Sequence, residues 1–379
     1  MPKLLWREPI ETTVITRARD DDAAKAPASK GSNGNGSNGS SPTKLAAGGP
    51  TPTAAEQPRP KVRVKTLGDI AGRESGALIV LLVAIGGLAL ASPEFLTGNN
   101  LANLARQVAI FGILAIGQLF VILTGGIDLS VGSILGLAGA VTAQLLVAGW
   151  GIVPSILVGA VVGGVLGLAN GLLVTKFKLP PFIATLGMLG IARGIVLVIT
   201  NANTIQGLPD SFQEIANGSI LGIPNLLIIF VIITATAAFV LKRTVFGRYV
   251  YSVGSNPEAA RLAGVPVAMV TTAVYVISGV LAAVGGVLLT SRLGAGVPTA
   301  GTGFELQAIA ACVIGGASLS GARGSAIGAA CGALIIGVLN NGGNLLAINA
   351  FYLQIAIGAL ILVAVGFDQM NSRNAARGA

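Results

Sequence analysis

Histidine is absent from the chain, which removes the commonest proton shuttle and metal ligand. Any Ser–His or Cys–His nucleophilic arrangement goes with it. Cysteine is nearly absent as well. Cys312 and Cys331 lie in apolar Gly/Ala-rich runs, too few for a disulfide framework, and read as small buried apolar residues. With no His/Cys cluster, no metal is expected on this chain. Charge is scarce, at 10% of residues against about a quarter in a soluble domain. No Gly-x-x-x-x-Gly-Lys-Ser/Thr phosphate loop occurs, and the Gly-rich stretch 315–324 has Arg323 but no Lys-Ser/Thr pair. No ATP site is therefore expected here. No apolar run precedes residue 76, so no cleavable signal peptide is expected.

What is present is apolar. Hydrophobic residues make up 53% of the 379, mean hydropathy is +0.80, and there are 54 glycines, which let membrane helices approach closely. The fold class expected is all-α, a polytopic integral membrane protein with about ten transmembrane helices. The apolar runs lie at about 76–92, 107–124, 130–148, 152–175, 182–200, 224–241, 267–290, 304–319, 325–341 and 351–367. The eighth and ninth are short and Gly-rich and read as broken or re-entrant.

Half of the 24 Lys and Arg precede residue 76, which is no nucleic-acid footprint. With both termini in the cytoplasm, the inner loops hold Lys176, Lys178, Lys242, Arg243, Arg248, Arg261 and Arg323. The outer loops hold Arg106 and Arg292 alone. The 201–224 loop, with Asp210 and Glu214 and no basic residue, is then external. Residues 1–66 read as a disordered cytoplasmic tail, because the Gly/Ser/Asn run after Lys30 cannot bury a core. Residues 67–379 form the transmembrane domain. Gly167-Leu-Ala-Asn170 and Gly337-Val-Leu-Asn340 suggest two inverted repeats five spans apart. A conflicting echo pairs Gly125-Gly-Ile-Asp-Leu-Ser130 with Gly315-Gly-Ala-Ser-Leu-Ser320 and can reflect similar helix breaks.

The loop 242–266 carries its own short helix. Ser255 or Asn256 can cap it, Pro257 suits its first position, and Glu258 suits the positive end of its dipole. Ala259, Ala260 and Arg261 continue it, and Gly264 ends it. A surface helix on the cytoplasmic side of a membrane protein is a surface for a partner, and a multi-subunit transporter is the expectation.

Within the spans, Asp128 is the only acid between Glu94 and Asp210. It reads either as a cap for the third span or as a pathway residue. Arg193, inside the fifth span, needs a partner, carbonyls or water. It ties helices together or touches solute, and Asp128 is one candidate partner. Gln118, Asn170, Gln307 and Asn340, with Asn341 and Gln354, are amides that can bond sugar hydroxyls or neighbouring helices.

Three segments carry a family resemblance. Residues 116–133, with Thr124-Gly-Gly-Ile-Asp-Leu-Ser-Val-Gly-Ser133, resemble a signature of permease subunits of bacterial ABC sugar importers of the ribose/xylose/galactose type. Residues 247–265 resemble that family's cytoplasmic loop, and residues 313–325 a third shared segment. The likeness runs from about 76 to 367. It implies a permease of the bacterial inner membrane that works as a dimer, often a homodimer. It also implies a cytoplasmic ABC ATPase that binds ATP and Mg, and a periplasmic or lipid-anchored sugar-binding protein. The substrate is then a monosaccharide, the residues from Asn256 to Gly264 form the coupling helix, and the chain is no enzyme itself. A branched-chain amino acid permease or a secondary solute transporter are the other readings. The long N-terminal tail departs from the family pattern.

Overall fold

The computed structural model describes residues 67–377; the expected tail 1–66 lies outside them. The described residues are helical almost throughout. Its elements are α1 (Leu67–Ala91), α2 (Gly98–Leu123), α3 (Val131–Val147), α4 (Ile152–Thr175), α5 (Pro181–Thr200), α6 (Asp210–Asn217), β1 (Ser219–Ile220), β2 (Ile223–Pro224), α7 (Asn225–Arg243), α8 (Val245–Ser255), α9 (Pro257–Leu262), α10 (Val267–Leu293), α11 (Phe304–Ile314), α12 (Ala326–Leu345) and α13 (Ala350–Arg377). Each of the ten apolar runs corresponds to one helix. Among the described residues, six, α2, α4, α5, α7, α10 and α12, are long and apolar enough to cross a membrane by length and composition.

The ninth run is not broken: α12 continues through Asn340-Asn341-Gly342-Gly343 to Leu345. The Asn341 amide pairs with Asn100 in both directions, at 3.0 and 2.7 Å. Leu88 and Leu353 pack against the two glycines, where added side chains would collide. The eighth run is short as expected, because α11 stops at Ile314. Gly315 and Gly316 follow, and Gly316 takes φ +89°. The 201–224 loop is not simply loop, for it holds α6 and the small β1–β2 hairpin.

The core is α2, buried on all sides from Val108 to Leu123. A helix apolar all round belongs at the centre. Around it pack α7, α10, α11 and α12, while α3 and α4 pack on α10 and α5 on α3. The outer helices are inside-out by soluble standards. Helix α4 buries Ser155, Gly159, Gly163, Gly167, Asn170 and Gly171 and turns Leu157, Val161, Val165 and Leu168 outward. Its glycines meet the α10 backbone directly. A side chain on Gly163 would strike the Gly279 carbonyl, and one on Gly279 the Gly163 carbonyl. Such contact of backbones is how membrane helices associate, since lipid supplies no hydrophobic drive between them.

The echo of Gly125-Gly126 with Gly315-Gly316 reflects similar helix endings, one residue out of the echo's register. After α2, Gly125 N–H bonds to Ile122 O and Gly126 N–H to Val121 O. After α11, Gly316 N–H bonds to Val313 O and Ala317 N–H to Cys312 O. Both are Schellman endings with a left-handed glycine, at φ +80° and +89°.

Replacing Gly163 by Val is expected to destabilise the fold by about 1–3 kcal/mol, the usual cost of overpacking. Gly187→Ala on α5 has open space around it and is expected to be neutral. Thermal unfolding of both variants in detergent checks this; equal melting temperatures would contradict the α4–α10 contact.

Candidate functional site

Helix α9 is built by local chemistry. Of the two candidate caps, Asn256 serves: its Oδ1 accepts from Ala259 N–H at 3.0 Å, whereas Ser255 is the last residue of α8. Pro257 occupies the first helical position, and Gly264 ends the turn at φ +83°. Val265 N–H returns to Ala260 O at 3.0 Å, and Ala260 is buried. Arg261 donates through Nε and Nη2 to Glu258 Oε2 at 3.1 and 3.0 Å. Both side chains are well exposed, so this pair adds little stability. Together with Leu262, 82% exposed, they give α9 a projecting surface of both charges and one large apolar side chain.

Sequence reasoning missed α8, which joins α9 to the membrane domain. Thr244 caps it by accepting from Gly247 N–H at 3.2 Å. At its far end Gly254 lies against bare backbone. A side chain there would collide with the Leu123 carbonyl and lie 2.7 Å from the Ala322 nitrogen. Ala322 N–H itself bonds to Leu123 O at 2.9 Å, and Tyr251 Oη donates to Gly324 O at 2.8 Å. The end of α2, the 315–325 loop and α8 therefore meet at one glycine. Only a missing Cβ permits that approach.

Just beyond this junction lies Asp128, fully buried. Its Oδ1 accepts from Ser130 N–H at 2.9 Å and Ser130 Oγ at 2.6 Å, and its Oδ2 from Ser278 Oγ of α10 at 2.9 Å. Asn170 of α4 donates to Ser130 Oγ at 2.8 Å. Gln118 of α2, with its amide turned to match donor to acceptor, bonds Asp128 O at 3.0 Å and Asp128 N–H at 3.1 Å. Three of the expected pathway residues, Gln118, Asp128 and Asn170, are thus brought together as one buried knot joining α2, α3, α4 and α10. Asp128 does not cap α3 directly. It holds the backbone one residue earlier, at Ser130 N–H. Ser278 belongs to the knot and was not legible, because a serine in an apolar run gives no sign of a partner 150 residues away.

Arg193 is not part of it. Its Nη1 donates to Pro298 O at 2.8 Å and Ala300 O at 3.0 Å. These carbonyls belong to the irregular segment 294–303 between α10 and α11, so Arg193 ties α5 to that segment and not to Asp128. Gln307 and Asn340 each leave a buried amide atom without a partner among the described residues, and Gln354 is exposed. Cys312 is buried, donating to Ala115 O at 3.1 Å, and Cys331 is half-buried. No group of three or more His, Cys, Asp or Glu that could hold a metal occurs among the described residues.

Asp128→Ala is expected to cost more than about 2 kcal/mol, because it strands donors in a dry site; Asp128→Asn retains an acceptor for Ser130 and is expected to cost less. Thermal unfolding of the two variants in detergent measures the difference. An alanine variant as stable as the native chain would contradict the knot.

Comparison with known proteins completes the picture. The family described as "Branched-chain amino acid transport system / permease component" matches residues 100–365. The chain is 46% identical over 299 residues to the ribose import permease protein RbsC of Bacillus subtilis (strain 168), covering 78% of this chain and 93% of that one. It is 41% identical over 300 residues to the D-allose transport system permease protein AlsC of Escherichia coli (strain K12), covering 79% and 92%. It is 37% identical over 295 residues to the L-arabinose ABC transporter permease protein AraH of Azospirillum brasilense, covering 78% and 87%. No solved structure matches the chain. With its apolar, glycine-packed helices and relatives aligned over most of its length, the chain belongs to the family of ABC importer permeases.

Proposed function

We propose that this chain is the membrane-spanning subunit of a bacterial importer for a monosaccharide, a pentose, hexose or related polyol. The observation that carries this reading is that relatives aligned over more than three quarters of the chain are named for ribose, D-allose and L-arabinose. Those names favour a sugar over a branched-chain amino acid. The chain lies in the inner membrane with both termini and the α8–α9 face in the cytoplasm, as the distribution of Lys and Arg directs. A separate cytoplasmic ABC ATPase binds ATP and Mg and grips α9. A binding protein delivers the sugar to the opposite face, and a second copy of the permease completes the dimer. No cofactor or metal resides on this chain.

The geometry around α8 and α9 supports one mechanism. ATP closes the ATPase dimer and moves α9. Helix α8 passes that motion through Gly254 to the end of α2 and the 315–325 loop. The end of α2 leads into the Asp128 knot, where four helices are fastened together, so the displacement becomes a rocking of packed helices rather than a local adjustment. Each ligand drives the cycle only by favouring one of the two states.

The test is co-reconstitution with the ATPase and the loaded binding protein, with ribose, allose and arabinose tried in turn. ATP-dependent accumulation of one of them is expected. Gly264→Val strains the left-handed end of α9, and Gly254→Ala drives a methyl into the Leu123 carbonyl. Each is expected to lower uptake at least tenfold while the protein stays in the membrane. Normal uptake in both variants would sink the coupling route.

A further inference from the structure

The segment 294–303 lies where irregular backbone is not tolerated against lipid. At one end Gly296 is pinned to Ile205 by paired backbone hydrogen bonds of 2.8 and 2.9 Å. It then descends alongside α3. Ala300 O faces Gly136, and the Gly301 carbonyl and the Glu305 carboxylate rest against Gly132. Leu135 of α3 is level with Gly286 of α10, seven residues before α10 ends. At 1.5 Å rise per residue, Gly301 and Glu305 therefore sit about 15 Å below the end of α10, near the middle of the bilayer. Yet Thr299 and Thr302 are exposed there, and Glu305 is half-exposed. Non-helical backbone and polar side chains at that depth occur only where protein covers them or water reaches them.

The neighbours of this segment point to water. Arg193 Nη1 lies against Gly136 and the Glu305 carboxylate against Gly132, so the two groups are about one helical turn apart along α3. No ion pair closes the gap among the described residues. Arg193 Nε and Nη2 make no hydrogen bond there either. Below this level the chemistry changes. One turn from Arg193 on α5 is Leu189, and one turn from Glu305 on α11 is Ile309. These two pack with Leu129 and Val313 into one apolar cluster.

We infer that Arg193, Glu305, Thr299 and Thr302 form a hydrated polar ledge that holds a sugar by its hydroxyl groups, above an apolar plug centred on Leu189 and Ile309 that shuts the way towards the α8–α9 face. The Glu305 carboxylate accepts from sugar hydroxyls, and the free N–H groups of Arg193 donate to them. A ledge of few contacts suits a transport path, where a solute must leave as readily as it arrives. This inference rests on the import function proposed above and assigns the stopping place within it.

Two variants in the complete importer test it. Thr302→Cys is expected to react with a charged methanethiosulfonate reagent, measured against the native chain with Cys312 and Cys331 as background. The transported sugar at high concentration is expected to slow that reaction at least threefold. Glu305→Gln is expected to lower uptake about tenfold at saturating binding protein, with ATPase docking intact and Glu305→Asp recovering part of the loss. An unreactive Thr302→Cys, a reaction the sugar does not slow, or full uptake by Glu305→Gln overturns the ledge while native uptake stands. Absence of native uptake of all three sugars would instead overturn the functional reading beneath it.

Discussion

A carboxylate withdrawn from water is tolerable only where the protein supplies its donors, and Asp128 receives three, from Ser130 N–H, Ser130 Oγ and Ser278 Oγ. That requirement ties the break between α2 and α3 to α10. Through Ser130 it reaches Asn170 on α4, and through the backbone amides it reaches Gln118 on α2. The knot is therefore an anchor for four helices and not an open binding surface. Open polar groups occur elsewhere, on the segment that Arg193 holds.

The rest of the packing around the anchor is backbone against backbone. Helices α4 and α10 meet backbone to backbone through Gly163, Gly167 and Gly279, with few interlocking side chains between them. Such surfaces resist the insertion of even a methyl group but have no large knobs to unlock. The large apolar side chains point the other way, towards lipid. Two rigid backbone junctions, at Gly254 and along the α4 glycines, therefore join the α9 surface to the centre of the bundle.

The sequence was most legible where the physics is local. The capping of α9 depends on Asn256, Pro257 and Gly264, all within nine residues, and the structure places each in its expected role, with Asn256 and not Ser255 as the cap. The ten apolar runs likewise reported ten helices. What failed was whatever depends on distant partners. The ninth run, 325–341, reads as broken or re-entrant, but Asn100, Leu88 and Leu353 complete α12 through Asn340-Asn341-Gly342-Gly343 as helix. Arg193 invited pairing with Asp128, but its Nη1 goes to two backbone carbonyls instead. Glu305 was overlooked because an acid at the start of an apolar run resembles an ordinary first-turn residue. A signal was available: between Glu258 and Asp368 it is the only acidic residue, the same isolation that marked Asp128.

The central claim is that this chain is a gate moved from outside, with no energy source of its own. Vesicles containing the purified permease alone, under imposed proton or sodium gradients, test it most directly. The expected result is no uphill accumulation of ribose, allose or arabinose until the ATPase, ATP with Mg and the loaded binding protein are all present. Uphill accumulation by the permease alone would contradict the account.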